Sequence, residues 1–219
     1  MIDMKKNNQT PWILAACFFA LFVILLALLL TVDVAPIAAE GGNVGLSTLN
    51  GSVWKTIGVH PTLYKVAKYT GYLALLVAAG FALLGLIQLI KRRSLAKVDR
   101  EILCLAGLYA LTLAFYLAFE VFVVNLRPTA PEASFPSSHT LLAITFFGSA
   151  LPLCGKYLKK KPLCLCAQIA LVALLVLTTL CRFLSGVHWL TDILGGILLG
   201  ASLLCLFHGA RNQWGRTEE

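Results

Sequence analysis

Residues 12–32, WILAACFFALFVILLALLLTV, decide the fold, because no position in this run carries a charge. A helix of about 20 apolar residues crosses the hydrocarbon core of a bilayer. The run is longer than the ~7–15 apolar residues of a signal peptide, so it is interpreted as an uncleaved anchor. The whole chain has a mean hydropathy of +0.84 and 13% charged residues, which excludes a soluble globular domain.

Five further apolar runs follow the first. The sequence therefore predicts an all-α, six-transmembrane helix bundle that forms one domain over residues 1–219. Its predicted spans are residues 12–32, 69–90, 102–126, 138–157, 162–181 and 192–210. Between the first two spans, the stretch LSTLNGSVWKTIG (46–58) is typical of a short amphipathic surface helix, with Trp54 as its anchor in the membrane interface.

The distribution of basic residues predicts the orientation. With a cytoplasmic amino terminus, most lysines and arginines fall on the cytoplasmic side, as the positive-inside rule requires. These are Lys5, Lys6, the five basic residues of 91–100, Lys156, Lys159, Lys160, Lys161, Arg211 and Arg216. Both termini are thus predicted to be cytoplasmic. A basic rim against anionic lipid headgroups accounts for the net charge of +8 without a nucleic-acid partner.

The remaining reactive or aromatic residues have structural interpretations. The seven cysteines are odd in number and lie mostly in predicted spans, which is typical of small buried apolar residues and not of a disulfide framework. His60 and His208 are interpreted as residues of the membrane interface. Trp12 and Trp189 are interpreted as aromatic anchors at the membrane surface. The sequence does not indicate an oligomeric state.

Two polar stretches interrupt the apolar pattern, NLRPTAPEASFPSSHT (125–140) and CRFLSGVHWLTD (181–192). In a six-span bundle with cytoplasmic termini, both are external loops. Charged side chains at the edge of a bilayer are costly unless they are paired or solvated, so their grouping at one depth predicts a shared polar pocket.

Helix geometry predicts which side chains of this pocket can act together. His188 and Asp192 are four residues apart, which places them on one face of a helix that opens the sixth span, where the carboxylate can hold one imidazole nitrogen. Ser137 or Ser138 can be the N-cap of the fourth span. The free backbone N–H groups of the following turn then form an anion site, to which His139 is adjacent.

The forked guanidinium groups of Arg127 and Arg182 suit phosphate oxygens. A neutral His188, oriented by Asp192, can attack phosphorus, and a protonated His139 can supply the proton to the leaving oxygen. Water would then hydrolyse the phosphohistidine, with His139 as the base.

These residues form three motifs: Arg127 with Pro128, "PSSH" from Pro136 to His139, and Arg182, His188 and Asp192 in the pattern R-x5-H-x3-D. The set resembles the signature of the type 2 phosphatidic acid phosphatase (PAP2) family. The resemblance implies a metal-independent membrane lipid phosphatase that needs no cofactor, with an active-site core shared with vanadium haloperoxidases. By the same resemblance, Ser137 and Ser138 cradle the phosphate.

Two positions depart from the family pattern. Cys181 stands where a serine normally precedes Arg182. Glu120 stands where a lysine is normal, seven residues before Arg127. If one helix contains both residues, they lie on the same side of it, about 10.5 Å apart along the axis. We therefore expect Glu120 to pair with Arg127 and to influence the substrate range, with Asn125 as a second orienting residue.

A pocket at the extracytoplasmic face, with no soluble domain, indicates a phosphate whose tail stays in the membrane. By the resemblance, undecaprenyl pyrophosphate is the preferred substrate, with phosphatidylglycerol phosphate and phosphatidic acid as alternatives. Two other hypotheses remain: zinc binding by His139, His188 and Asp192, and a non-catalytic lipid or anion transporter. Transport sites lie near the bilayer midplane, whereas these side chains lie at the predicted span ends.

Overall fold

The protein is described by a computed structural model that covers residues 9–214. Lys5, Lys6 and Arg216, which contributed to the predicted orientation, lie outside the described residues. Within residues 9–214 the chain forms helices and no β-strand. The helices are α1 (Thr10–Thr31), α2 (Ser47–Ile57), α3 (Pro61–Arg92), α4 (Arg100–Val121), α5 (Ser138–Tyr157), α6 (Lys161–Leu184) and α7 (Leu190–Trp214).

Six of these helices, all except α2, are long and apolar enough to cross a membrane, which confirms the predicted six-span all-α bundle. Helix α3 begins at Pro61 and contains the predicted span of residues 69–90; proline is well suited to its first helical turn. One boundary was predicted wrongly. Helix α4 ends at Val121 and not at residue 126. The chain after it turns back on itself, and Ser134 N–H donates to the Asn125 carbonyl at 3.0 Å.

Helices α5 and α7 form the centre of the bundle. In the most apolar stretch of each helix, 61% of the residues of α5 and 56% of those of α7 are buried. The corresponding fraction in α6 is 6%, so the side chains of α6 mostly face the surrounding lipid. Helix α1 packs along α7, and Ser202 of α7 donates to the Ala15 carbonyl at 2.9 Å. Helix α5 widens into a π-helical turn at Ala143–Phe147 before it continues as α-helix. The two central helices both begin at the same end of the bundle, which we call the site end.

The segment between α1 and α3 covers the site end. Its helix α2 confirms the predicted short helix between the first two spans, but Trp54 has protein partners there. The Trp54 indole donates to the Gly186 carbonyl at 2.9 Å, and its ring lies 6.1 Å from that of Trp189. Gly186 has a φ of +69°, and a Cβ built on it would lie 1.9 Å from the Gly58 carbonyl oxygen. The connections before α3 and before α7 are therefore in direct backbone contact.

The opposite end of the bundle carries a second polar group, which we call the Asp99 network. The Asp99 carboxylate accepts hydrogen bonds from Gln88 at 3.0 Å, Arg92 at 2.8 Å and Tyr157 at 2.9 Å, and Lys156 lies 3.5 Å away. Partial burial acts to raise the pKa of Asp99, but the hydrogen bonds from Arg92, Tyr157 and Gln88 outweigh it and lower the pKa to about 2. This network ties α3 and α5 to the start of α4.

Candidate active site

The site end brings the two predicted polar stretches together. The first turn of α5 carries Ser138 and His139, and the turn before α7 carries His188. Arg182 belongs to the last turn of α6, while Arg127 lies in the loop after α4. The hydrogen bond from Ser137 N–H to the Asp192 carbonyl, 2.9 Å long, fixes the start of α5 against the start of α7.

Asp192 is fully buried and accepts hydrogen bonds from two sides. Its Oδ2 accepts the Trp189 backbone N–H at 2.9 Å and a hydrogen bond from the Ser134 hydroxyl. The bond to Trp189 has the geometry of a capping box, in which the third helical residue binds the N–H at the helix start. His188 thus lies just before α7, whereas we predicted it inside the helix.

Ser134 links His188 to Asp192. The His188 Nδ1 lies 3.0 Å from the Ser134 Oγ and 3.4 Å from the Asp192 Oδ2. Since the Ser134 hydroxyl donates its proton to Asp192, Nδ1 must carry the ring proton and donate to Ser134. This tautomer leaves the lone pair of Nε2 available, and Nε2 has no hydrogen-bond partner in the described part of the chain.

His188 is only 3% exposed. Removal from water disfavours the charged imidazolium, and this burial lowers the pKa of His188 to about 4, although the hydrogen bond to Asp192 acts in the opposite direction. The nearby positive charge of Arg182 acts in the same direction as burial. His188 is therefore neutral at physiological pH, which is the protonation state that a nitrogen nucleophile needs.

The two arginines converge on the same space. Arg182 is buried at 1% exposure, with its guanidinium 5.2 Å from the centre of the Tyr64 ring, and its Nε and Nη1 have no hydrogen-bond partner within residues 9–214. Arg127 pairs with the exposed Glu132 at 2.7 Å but keeps a buried Nε without a partner. The two guanidinium groups lie close enough to repel each other, which favours an anion between them.

His139 and the serines complete the site. The His139 ring lies against the backbone of Gly71 in α3, where an added Cβ would be 2.7 Å from the ring Cδ2. Ser137 lies at the N-cap position of α5, but no side chain caps the first turn. The backbone N–H groups at this helix start therefore remain available to an anion.

The predicted pairing of Glu120 with Arg127 is wrong. Because α4 ends at Val121, one helix does not contain both residues, and the carboxylate that binds Arg127 belongs to Glu132. Glu120 lies with Tyr116, Ser134, Ser138 and His188 in the lining of a small cavity at the site end.

Asn125 does lie at the site. Its amide is buried, donates weakly to Asp192 at 3.5 Å, and accepts a hydrogen bond from the Gly45 N–H at 3.4 Å. Cys181, in the position of the usual serine, is buried directly before Arg182.

Sequence reasoning missed three contacts. Ser134 and Tyr64 were not selected, and Trp189 was interpreted as a membrane anchor although it is 1% exposed and donates to the Leu126 carbonyl at 2.7 Å. Ser134 lies in a polar loop close to the two serines of the PSSH motif, so its residue type alone did not indicate a role in the site. The alternative of a zinc site is not supported, because no three histidine, cysteine or carboxylate side chains of the described chain come together as metal ligands would.

Comparison with known proteins indicates the family and the fold. A family model described as the PAP2 superfamily matches residues 73–216. Among solved structures, the chain is similar to a transmembrane PAP2-type phosphatidylglycerolphosphate phosphatase from Bacillus subtilis. The TM-score is 0.65 and the sequence identity 20%, and the match covers 92% of this chain and 98% of the other. No curated protein sequence matches the chain significantly.

Proposed function

The chain belongs to the PAP2 superfamily and is therefore a membrane phosphoric ester hydrolase, and we propose that it removes the terminal phosphate of a lipid through a phosphohistidine. One observation supports this most directly. Partnerless nitrogens of four side chains lie at the site end: Arg127 Nε, Arg182 Nε and Nη1, His139 Nδ1 and His188 Nε2. Buried polar nitrogens without partners are costly in a purely structural cluster, whereas a bound phosphate would satisfy the guanidinium groups.

In the first proposed step, His188 Nε2 attacks phosphorus. A nitrogen–phosphorus bond forms, and the bond from phosphorus to the leaving oxygen breaks. The electron pair of the broken bond stays on that oxygen, which takes a proton from His139. Arg127, Arg182 and the start of α5, with Ser137 and Ser138, stabilise the charge on the remaining phosphoryl oxygens.

In the second step, water attacks phosphorus and gives a proton to His139. The nitrogen–phosphorus bond breaks, so His188 is regenerated and inorganic phosphate is released. Throughout, Ser134 and Asp192 hold the His188 proton on Nδ1. No metal or cofactor takes part in this proposal.

The proposed orientation places both termini in the cytoplasm and the site at the extracytoplasmic face. It is supported by the basic residues of 91–100 and 156–161, which lie at the end of the bundle opposite to the site. A phosphate site at a membrane surface suits a lipid headgroup, and undecaprenyl pyrophosphate remains the preferred substrate. The likeness to the Bacillus subtilis protein makes phosphatidylglycerol phosphate the second candidate; phosphatidic acid follows it, and a non-catalytic transporter would leave the His188–Ser134–Asp192 arrangement unexplained.

The test is phosphate release by purified protein in detergent from undecaprenyl pyrophosphate, phosphatidylglycerol phosphate and phosphatidic acid, each with and without EDTA. We expect release that EDTA does not reduce and that vanadate inhibits, because vanadate imitates the trigonal-bipyramidal phosphorus. Activity that is lost with EDTA and restored by zinc or magnesium would contradict the mechanism. Absence of release from every lipid would favour the transporter.

A further inference from the structure

Helix α3 contributes a face to the site that none of the three motifs contains. Tyr64, Lys68 and Gly71 are four and three residues apart, so they lie on one side of the helix. The outer two contact the site directly: the Tyr64 ring lies 5.2 Å from the Arg182 guanidinium carbon, and Gly71 packs against the His139 ring. Lys68 lies between them on the same face.

The ammonium of Lys68 is available at this position. Lys68 is exposed and forms no hydrogen bond or ion pair in the described part of the chain. It lies three residues before Gly71, whose backbone packs against the His139 ring, so its ammonium is on the His139 side of the site. Side chains of a helix lean toward its amino terminus, so the ammonium extends from the level of His139 toward Tyr64.

The position of Lys68 relative to the reaction follows from the proposed roles of the histidines. His188 attacks phosphorus from one side, and His139 protonates the oxygen that leaves on the other side. A cation beside His139 is therefore beside the leaving group. When a lipid monophosphate is hydrolysed, the leaving group becomes a neutral alcohol, but when a lipid diphosphate is hydrolysed, the leaving group is itself an anionic phosphate.

We propose that Lys68 binds the leaving phosphate of a lipid diphosphate and makes the enzyme prefer lipid diphosphates to lipid monophosphates. This inference rests on the proposed phosphatase function and defines its substrate class. In the reaction, the bond between the terminal phosphorus and the bridging oxygen breaks, the bridging oxygen keeps the electron pair, and it takes the proton of His139. Lys68 stabilises the lipid monophosphate that departs with that oxygen.

The role of Lys68 differs from that of the lysine that the family pattern places before Arg127. The position that holds a lysine in the family pattern here holds Glu120, so the site lacks that cation. Lys68 reaches the site from a different helix and from the side of His139, so it does not simply replace the missing lysine. The neighbouring Lys65 is also exposed, but it is turned by about a quarter of the helix circumference from the Tyr64–Gly71 face.

The experiment compares farnesyl diphosphate with farnesyl monophosphate, which carry the same chain, on the full-length protein in detergent. The variants are Lys68→Met, Lys68→Arg and the control Lys65→Met. We expect Lys68→Met to lower kcat/KM about tenfold or more for the diphosphate and less than about threefold for the monophosphate, since one charge-assisted contact is lost. Lys68→Arg should stay near wild type for both lipids, and so should Lys65→Met.

Each other outcome has a definite meaning. An equal loss on both lipids, no loss on either, or wild-type protein that hydrolyses only the monophosphate would overturn the role of Lys68 and leave the phosphatase proposal standing. Wild-type protein that releases phosphate from neither lipid would contradict the phosphatase proposal itself. Elution of each variant like wild type in size-exclusion chromatography shows that the comparison concerns folded protein.

Discussion

The two ends of the bundle both carry charged clusters, but they differ in how their polar atoms are satisfied. In the Asp99 network, Gln88, Arg92 and Tyr157 all donate to one carboxylate. At the site end, by contrast, nitrogens of Arg127, Arg182, His139 and His188 are buried without a partner among the described residues.

The difference separates charges that stabilise a fold from charges that bind something else. A polar group that is paired within the protein has offset the cost of its removal from water, whereas a buried donor or acceptor without a partner still carries that cost. The bundle keeps such atoms where two central helices begin, held by the contacts of Asp192 and Ser134. Substitutions at the two ends should therefore change different measurable quantities.

The largest effect is expected for the two histidines. His188→Ala and His139→Ala should each lower kcat by about 10³-fold or more, because the nucleophile or the proton donor is lost. Any loss of thermal stability should be small beside the loss of kcat, since removing each ring loses packing but also removes a buried nitrogen without a partner. Phosphate release measures the loss of kcat, and a thermal unfolding curve in detergent measures the change in stability. Near-normal turnover of His188→Ala would show that another group is the nucleophile.

Ser134→Ala should reduce kcat by about 10–100-fold with a smaller change in KM, because His188 then loses its closest orienting partner. Ser202→Ala is the matched control: this buried serine joins α7 to α1 far from the site, so it should affect stability and leave kcat unchanged. If Ser134→Ala and Ser202→Ala have the same kinetics, Ser134 has only a packing role.

The third effect concerns pH. Because the pKa of His188 is lowered to about 4, its imidazole should stay neutral as pH falls from 7.5 to 5.5 and gain a proton only as pH approaches 4. An unperturbed histidine, with a pKa near 6.5, would change about tenfold in its neutral fraction over that range. Nuclear magnetic resonance of protein labelled with ¹⁵N-histidine measures the protonation of each imidazole against pH, and the His188→Ala variant assigns the His188 signal. A titration midpoint of His188 above pH 6 would contradict the expectation.

The smallest effect on activity is expected at the other end. Asp99→Asn removes the charge that three neighbours bind, so it should lower the unfolding temperature by several degrees and leave kcat/KM within about twofold of wild type. Since the pKa of Asp99 is lowered to about 2, its stabilisation should be present above pH 4 and be lost as pH falls toward 2. A large loss of activity without loss of stability would mean that the two ends are coupled.

Much of this arrangement was predictable from the sequence, for identifiable reasons. A run such as residues 12–32 has few alternatives to a membrane helix, and the R-x5-H-x3-D spacing brings Arg182, His188 and Asp192 together through a short turn. The prediction that failed depended on where helix α4 ends. No strong breaker marks Val121, so continuing α4 to residue 126 was reasonable, and the false pairing of Glu120 with Arg127 followed from it.

Contacts between segments that are far apart in the sequence were also not predictable. Tyr64 and Gly71 reach the site only because α3 packs beside α5 and α6, and nothing local to them indicates that. Ser134 differs from its neighbouring serines only through the loop that returns it to Asp192. Trp189 has the composition of a membrane anchor, and only the fold of the segment above α7 buries it.

The backbone contact between Gly58 and Gly186 makes the site vulnerable from a distance. A methyl group at residue 186 has no space and would also require an unfavourable positive φ, so even alanine must push the two connections apart. The turn that would move leads directly to His188. A substitution at Gly186 would thus impair phosphate hydrolysis, although this residue contributes no functional group to the site. A small molecule that bound between the two connections and separated them would inhibit the protein without resembling phosphate.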